Sequence, residues 1–336
     1  AALVIGASPD TSALTAIAEQ QGWSGYVLLG AGYSDVASNT VAGNEVIEGG
    51  LDTIQSIDDR PSNNYVTHAI AGAEIRYTLP RRNELFLGSA LEDQLTMDFG
   101  TQFGWRKQVE GKGIFQLGYL FSGIPNEAWE DPYLANARRE ATDRDSAGAR
   151  FVWDRIMGST FELTAQYRNL SFDKERSGSD PTLNCNQKCQ DALERDGEQY
   201  QLWLSLLLPL GGGHFIKPQL RYRHDDRNGK SLTNDAAAVQ LSYSYMSPNW
   251  VLVANALYGQ SDFDSANPLY GIRQDATTTA LDATILYRLP IESGRWQLTG
   301  SVFWAEEDSD IDFHDSSLTQ IVFGVIYNFG NLPGGQ

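Results

Sequence analysis

Cysteine, histidine and long apolar runs are all scarce in this chain. Its 336 residues include two cysteines and four histidines. The richest apolar stretch, LWLSLLLPL at 202–210, is half the length of a membrane-spanning helix and contains Ser205 and Pro209. Because no apolar run is long enough for a membrane-spanning helix, a helical membrane protein is excluded. These absences leave room for a membrane β-barrel, because alternation along each strand hides the apolar residues from a window average.

Basic residues are also scarce, with 25 Lys and Arg against 43 Asp and Glu and a net charge of −18. Nucleic-acid binding needs a basic surface, so we expect no nucleic-acid partner. The chain contains neither a Gly-x-Ser-x-Gly nucleophile elbow nor the fingerprint of a nucleotide-binding loop. The sequence therefore predicts no cofactor.

The two cysteines, Cys185 and Cys189, lie in LNCNQKC without a neighbouring histidine. Two thiols alone make a poor zinc site, and the usual redox motif separates its cysteines by two residues. We therefore predict a short-range disulfide in an oxidising compartment, with free loop thiols as the alternative. The acidic stretch EEDSDIDFHD at 306–315 fits no EF-hand spacing, so we expect solvated charge and no metal.

Period-two alternation is what the chain has in abundance. In TMDFGTQFGWR at 96–106, most odd positions are aromatic or apolar, and the even positions are polar or glycine. Such alternation is typical of a β-strand whose two faces meet different surroundings. Comparable segments predict about fourteen strands, with twelve as the alternative. The segments are 22–35, 70–80, 84–92, 96–106, 113–123, 149–155, 161–168, 197–209, 216–223, 237–245, 249–261, 281–289, 295–304 and 316–329.

The predicted connections alternate between two kinds. Tight turns with Gly, Pro or Asn fall at 80–83, 110–113, 157–159, 210–214, 247–249 and 291–294. Longer, mostly acidic loops fall at 36–64, 124–143, 174–196, 262–274 and 306–316, with shorter ones near 92 and 229. Short turns at one end and long loops at the other are typical of outer-membrane barrels.

The apolar side chains on one face of each predicted strand need a covering layer, and the chain itself does not provide one. The one candidate amphipathic helix is the short run at 8–20. A closed soluble barrel of about fourteen strands would be too wide for side chains to fill. Aromatic residues such as Trp105, Tyr167 and Trp296 flank the apolar faces, as in an interfacial belt. We predict an all-β, transmembrane antiparallel up-and-down β-barrel; a soluble sandwich or propeller is the alternative.

Four stretches resemble a family of uncharacterised Gram-negative outer-membrane barrels, grouped as a domain of unknown function. They are WEDPYLANARREATDRDSAGARF (129–151), LERDGEQYQL (193–202), DFDSANPLYGIRQD (262–275) and FGVIYNF (323–329). The resemblance implies the barrel fold and a bacterial outer-membrane location, and it brings no assigned site residues. In its inferred strand number the chain also resembles monomeric fourteen-stranded channels, one of which passes cyclodextrins and has an N-terminal segment in its pore.

We divide the chain into an N-terminal segment at 1–21, the barrel at 22–329 and a C-terminal tail at 330–336. The first segment contains SPDTSALTAIAEQQG, which is able to form one or two helical turns capped by Ser8 or Asp10. We interpret it as a plug that folds into the lumen. A disordered periplasmic tail is the alternative.

We predict that the charged residues on the polar face of the strands line the lumen, and most of these residues are Lys or Arg. This pattern favours a porin-like diffusion channel for small polar or anionic solutes, including oligosaccharides. In the alternative interpretation the charges pair across strands and only hydrate the wall. The predicted pore-lining residues are Glu74, Arg76, Asp98, Arg106, Arg150, Asp154, Glu162, Arg168, Lys217, Arg221, Arg223, Asp282 and Arg288.

We expect no catalytic residues. Neighbours in a strand point to opposite faces, so His224 with Asp225 and His314 with Asp315 are badly placed to cooperate. The alternatives to a channel are a barrel protease or lipase, and an adhesin or assembly barrel without a transport role. The expected partners are outer-membrane lipid, lipopolysaccharide and a small polar solute in the lumen, and we expect a monomer.

Overall fold

The computed structural model describes residues 17–43, 49–89, 100–122 and 126–330, and these form one closed antiparallel sheet. Fourteen long strands build the barrel, as predicted, so the count of twelve is wrong. They are β1 Gly22–Ser38, β2 Asn63–Leu79, β3 Asn83–Ser89, β4 Gly100–Val109, β5 Gly113–Ser122, β6 Ala141–Asp154, β7 Phe161–Phe172, β8 Gly197–Leu206, β9 His214–Arg227, β10 Asn234–Met246, β11 Trp250–Phe263, β12 Ala276–Arg288, β13 Trp296–Ser309 and β14 Ser316–Gly330. Three short strands, Val41–Gly43, Asn126–Trp129 and Leu208–Gly211, extend the wall.

The barrel closes because the first and last strands pair with each other. β1 runs antiparallel to β14, from Ser24 opposite Gly330 to Ser38 opposite Ser316. Its other edge pairs with β2 over the same length. Closure gives each strand two neighbours, so the backbone N–H and C=O groups are satisfied without water, which a lipid-spanning sheet requires.

Side chains are distributed over the two faces of the sheet in the opposite way to that in a soluble protein. Large apolar side chains point outwards, and Leu29, Leu241 and Phe323 are 61%, 52% and 70% exposed. Polar side chains such as Glu84 and Gln116 are buried on the concave inner face. Only hydrocarbon covers such an outer surface without a further protein layer. The soluble sandwich or propeller is therefore wrong.

Aromatic side chains form pairs on the outer face at both ends of the apolar zone. Tyrosine and tryptophan prefer the boundary between hydrocarbon and water, so these pairs mark the two membrane interfaces. The pairs near the tight turns are Trp23–Tyr77, Trp250–Tyr287 and Trp296–Tyr327, and those near the loops are Tyr33–Tyr65 and Tyr167–Tyr200.

Tight turns and longer loops alternate around the barrel. Three residues lie between the last paired residues of the hairpins after β2 and β4. Arg81 and Arg82 in the first turn have φ of 61° and 52°, and Gly111 in the second has φ of 68°, since such short turns need residues at positive φ. The chain enters β1 and leaves β14 at the turn end. The closed sheet with its apolar outer face makes the protein a bacterial outer-membrane β-barrel. Because short turns face the periplasm in this class, its long loops lie outside the cell.

Helical structure is confined to the connections. Within the described part of the chain, one α-helix, α1 at Gln187–Ala192, lies in the loop after β7, and 3-10 turns span Ile156–Gly158, Pro181–Leu183, Glu292–Gly294 and Asp312–His314. A disulfide joins Cys185, just before α1, to Cys189 within α1, so free thiols are excluded. Within the described residues, no helix is long and apolar enough to cross a membrane. Residues 1–16, 331–336 and Asp98 lie outside the described residues.

A charge on the outer face should destabilise the barrel far more than the same charge on its inner face. We expect Leu241→Arg to cost about 2 kcal/mol or more, because the guanidinium would lie in hydrocarbon. The measurement is urea unfolding in lipid vesicles. The matched control, Ser242→Arg, places the charge in the lumen and should cost much less; equal losses for the two variants would contradict the assignment of the faces.

Candidate functional site: the barrel lumen

The lumen is the candidate functional site, and the strand register decides which predicted residues face it. Eleven of the thirteen predicted pore-lining residues lie on the inner face, where they are buried or half-buried. Arg288 shares their parity but is exposed at the turn-side rim, where it donates to the Pro248 carbonyl at 3.1 Å. The eleven are Glu74, Arg76, Arg106, Arg150, Asp154, Glu162, Arg168, Lys217, Arg221, Arg223 and Asp282.

Near the turn end, β2 to β5 carry a network of paired charges that we name the turn-side network: Glu74, Arg76, Glu84, Arg106 and Gln116. Arg106 contacts Glu84 at 3.1 Å and Glu74 at 3.8 Å, and its Nε donates to Gln116 at 2.6 Å. Arg76 pairs with Glu74. Two carboxylates thus balance two guanidiniums, and this part of the wall carries little net charge.

The ring of Phe86 supports this network from the wall. The Arg106 guanidinium lies 4.4 Å from the centre of the Phe86 ring, as in a cation–π contact. Phe86 itself lies against Gly104 and Gly118 on the next two strands, where an added Cβ would come within 2.7 Å and 3.4 Å of the ring. Two glycines therefore let an aromatic ring lie flat along the inner wall.

A second group of paired charges lies beside the turn-side network, on β7 to β9. The Lys217 ammonium contacts the Glu162 carboxylate at 3.1 Å, and the Ser205 hydroxyl donates to the same oxygen at 3.1 Å. Asp154 faces Glu162 across β6 and β7. The two carboxylates of Asp154 and Glu162 therefore outnumber the single ammonium group of Lys217 here.

Closer to the loops, β6 to β9 carry an arginine-rich wall. We name it the arginine wall: Arg150, Arg168, Trp203, Arg221 and Arg223. The indole of Trp203 lies between two guanidiniums, 5.1 Å from Arg221 and 5.8 Å from Arg150. Arg150 donates to Gln166 at 2.7 Å, and Arg223 pairs with Asp225 at 2.7 Å. Trp203 was missed by the sequence analysis, because an inward tryptophan departs from the rule of apolar residues outside.

The opposite side of the lumen carries two apolar clusters. At the loop end, Val36, Leu257, Phe303, Ala305 and Leu318 pack together on β1, β11, β13 and β14, and we name this group the apolar wall. Nearer the turns, a second inward cluster contains Leu28, Val251, Val253, Leu286 and Ile326. Asp282 lies between these clusters and accepts a hydrogen bond from Asn255 at 3.0 Å. Most of the charged side chains of the inner face thus lie on one side of the lumen, and the other side combines apolar clusters with uncharged polar residues such as Gln240 and Gln320. The sequence pattern did not predict this division.

The extracellular loops fold together over the barrel end and form a cap: 39–43, 49–62, 130–140, 173–196, 264–275 and 310–315. Tyr133, Leu193, Ile311 and Phe313 form its buried apolar centre. The Asp131 carboxylate accepts from the amides of Tyr133, Gly178 and Asp180 and from the Ser179 hydroxyl, at 3.0–3.1 Å. Hydrogen bonds between distant loops therefore hold the cap in one arrangement.

A buried guanidinium joins two loops of the cap, the loop at 130–140 and the loop between β1 and β2. Arg139 donates to the carbonyls of Asn39 at 2.6 Å, Pro132 at 2.9 Å and Leu51. It also lies 4.5 Å from the centre of the Trp129 ring. Burial lowers the pKa of Arg139 to about 10, a value at which the group stays charged at neutral pH. Removal of this side chain would leave three loop carbonyls without their donor.

His314 lies at the underside of the cap, where three loops meet. Its Nε2 atom is 3.3 Å from the Tyr133 hydroxyl and 3.4 Å from Nδ2 of Asn267. Burial lowers the pKa of His314 to about 4 and raises the pKa of Tyr133 to about 12. Both groups are therefore neutral at physiological pH.

Between the cap and the middle of the barrel lies a cavity of about 500 Å³. The arginine wall bounds it on one side and the apolar wall, through Val36, Leu257, Ala305 and Leu318, on the other; Tyr133, Leu193 and His314 belong to its roof. Among the described residues that line it, seven are arginine and four are aspartate or glutamate. The cavity therefore has an arginine-rich side and, facing it, a side with an aliphatic surface whose loop end also carries Glu307.

The other histidines lie in separate surroundings. His68 faces the lumen over Gly32 and contacts Gln320 at 3.2 Å. His214 and His224 lie on the outer surface, the first against Tyr243 at 2.7 Å and the second against Asp235 at 2.9 Å. Within the described ranges, no three His, Cys, Asp or Glu side chains come together as candidate metal ligands.

The profile of a family described as "Protein of unknown function (DUF2860)" matches residues 22–328. None of the curated proteins matches the chain.

Among solved structures, the chain resembles the COG4313 outer membrane channel from Pseudomonas putida F1, at 9% identity and a TM-score of 0.48, over 97% of this chain and 100% of the other. It also resembles the outer membrane channel DcaP of Acinetobacter baumannii, at 11% identity and 0.45, over 92% and 97%. A Pseudomonas aeruginosa FadL homologue is similar at 11% identity and 0.45, over 91% and 90%.

The cap should open more readily in acid because of His314. The closed cap holds its pKa near 4, below the ordinary value of 6.5, so stability is greatest above pH 6.5 and falls as the pH falls towards 4. The opening constant should rise by up to about tenfold per pH unit in this window. Hydrogen exchange at 310–315, corrected for the intrinsic pH dependence, measures it. His314→Gln should flatten the response, and an unchanged slope in that variant would assign it elsewhere.

Proposed function

We propose that this chain, which belongs to the DUF2860 family of proteins of unknown function, is an outer-membrane diffusion channel for small anionic and polar solutes. The observation that carries the proposal is the arginine wall, which brings Arg150, Arg168, Arg221 and Arg223 to one side of the lumen. The whole chain has a net charge of −18, so the basic character of this wall is local.

Fixed charge inside a narrow aqueous tube acts more strongly than the same charge on an open surface. The lipid and the protein wall have a low dielectric constant, so field lines are concentrated along the water-filled path. A positive wall lowers the energy of an entering anion and raises that of a cation. The turn-side network is balanced and hydrates the wall, so the selectivity comes from the arginine wall.

Polar groups along the same wall support the passage of neutral solutes. Gln166, Gln199, Gln201 and Gln219 face the lumen beside the arginines, and each amide supplies both a donor and an acceptor. Such groups replace hydrogen bonds to water for a hydroxyl-rich solute, including an oligosaccharide. Trp203 adds an aromatic surface.

The channel acts as a monomer in this proposal, because the fourteen strands of one chain close the lumen without a partner. The aromatic pairs on the outer surface would contact lipid at the periplasmic interface and lipopolysaccharide at the external one.

Removal of charge from the arginine wall should reduce anion preference. We expect the wild-type channel to favour chloride over potassium, and the double variant Arg168→Gln/Arg221→Gln to lower the permeability ratio by about twofold or more. The reversal potential in a KCl gradient across a planar bilayer measures this ratio.

The control for this experiment is Lys188→Gln, which removes a positive charge from an exposed position of α1 and should leave the ratio unchanged. Clear potassium preference in the wild type would overturn the anion assignment. Failure of the reconstituted protein to conduct ions or to swell sugar-loaded liposomes would overturn the channel itself.

The N-terminal segment is proposed as a plug at the turn end. Ile17, ahead of β1, is 4% exposed and packs against Ile114 and Val152, which point into the lumen. Glu19 pairs with Arg82 in the turn after β2. The first contact holds Ile17 against the inner wall, and the second ties Glu19 to the turn-side rim; together they support a plug rather than a free tail.

Deletion of residues 1–20 should raise the single-channel conductance, because it removes a segment from the aqueous path. Ile17→Asp in the full chain should have a smaller effect in the same direction, since it weakens the contact with Ile114 and Val152. Both are measured in planar bilayers. Equal conductance of the deletion variant and the wild type would refute the plug.

A further inference from the structure

The cavity under the cap has two walls of opposite chemistry. The arginine wall presents guanidinium groups and the indole of Trp203, and the apolar wall presents the aliphatic side chains of Leu257 and Leu318. Its volume, about 500 Å³, lies within the range of small-molecule binding sites. A channel that serves only ions or sugars has no need of an aliphatic surface facing its charged wall.

We propose that this cavity is a binding site for an amphipathic organic anion, with a carboxylate or sulfonate attached to an apolar or aromatic body. The anionic head would lie at the arginine wall, where planar guanidiniums match a carboxylate. The body would lie on the apolar wall. This assignment rests on the proposed channel and names a solute class for it.

A solute that matches only one of the two walls binds more weakly in this cavity than a solute that matches both. A hydrocarbon in the cavity would remove water from the guanidiniums without replacing their hydrogen bonds, which is costly. An inorganic anion or a small hydroxyl-rich solute would leave the surface of Val36, Leu257 and Leu318 in contact with water. A solute with both a charged head and an apolar body satisfies the two walls at once.

Trp203 gives the arginine wall a defined geometry. Its indole lies between Arg150 and Arg221, and two cation–π contacts keep these guanidiniums apart at a fixed height in the barrel. Arg223 and Arg227 are both bound to Asp225, at 2.7 and 2.6 Å. The carboxylate of Asp225 therefore lies at the loop side of the wall, and the head group is placed nearer Arg150 and Arg221.

The cap gives the site a roof. Tyr133, Leu193 and His314 belong both to the cavity lining and to the packed underside of the cap. A solute in the cavity would touch residues that hold the loops together, so its presence should also be felt by the cap.

The experiment uses the full chain in planar bilayers and measures block of the KCl current by three probes. 4-Phenylbutyrate carries both features, acetate has the charge without the body, and 4-phenyl-1-butanol has the body without the charge. We expect 4-phenylbutyrate to block at a concentration at least about tenfold below either control. Equal potency of the acid and acetate, or of the acid and the alcohol, would overturn the proposal.

Variants of each wall separate its contribution. Arg221→Gln and Leu318→Thr should each weaken the block by 4-phenylbutyrate by about fivefold or more, through the head and the body respectively. The matched controls are Lys188→Gln and Leu28→Thr; Leu28 belongs to the other inward apolar cluster and does not line the cavity. Heat-dependent gel migration checks that each variant is folded.

Titration calorimetry of the detergent-solubilised protein with the same three probes keeps the proposal separate from the channel. A conducting channel that shows no preference for 4-phenylbutyrate overturns the binding site and leaves the channel intact. A protein that does not conduct yet binds 4-phenylbutyrate over both controls overturns the channel and supports the site.

Discussion

The structure depends on one constraint: in hydrocarbon, every backbone N–H and C=O group must find its partner within the protein. A sheet meets this requirement only when it closes, and the pairing of β1 with β14 closes it. Closure creates an inside and an outside, and the alternation of side chains along each strand then assigns residues to them. The aromatic pairs, the short turns and the long loops follow from the same arrangement, because each belongs to a fixed depth in the membrane.

The strands were predictable because the pleat fixes a period of two, which the sequence displays directly. The segments that contain Phe161, Leu220 and Phe323 each place apolar residues outwards and polar residues inwards, and fourteen strands result. The charged residues of the inner face followed from the same parity. The apolar wall did not. In VLVANALYG at 251–259, apolar residues occupy both parities, so a rule that places every apolar residue outside overlooks Val253 and Leu257.

The cap could not be predicted from the sequence, for a different reason. Its contacts join segments far apart in the chain, such as Arg139 with Asn39, 100 residues away, and Tyr270 with Ile57, 213 residues away. Loop composition carries no signal for such contacts, and an acidic loop can be solvated or packed with the same sequence. Together, the strands and loops form a lumen with the charge-balanced turn-side network near the turns. Under the cap, the arginine wall lies opposite the apolar wall. The function that we propose therefore rests on the division of the inner face of this barrel.

The most direct test of the central assignment is a nitroxide scan of β10, with single cysteines at successive positions from 237 to 245 in lipid vesicles. Collision rates with oxygen report contact with lipid, and collision rates with a water-soluble nickel complex report contact with water. We predict high oxygen accessibility at the odd positions, including 239 and 241, and high nickel accessibility at the even positions, including 240 and 242. A pattern without a period of two, or one with the opposite phase, would contradict a barrel whose apolar face meets lipid.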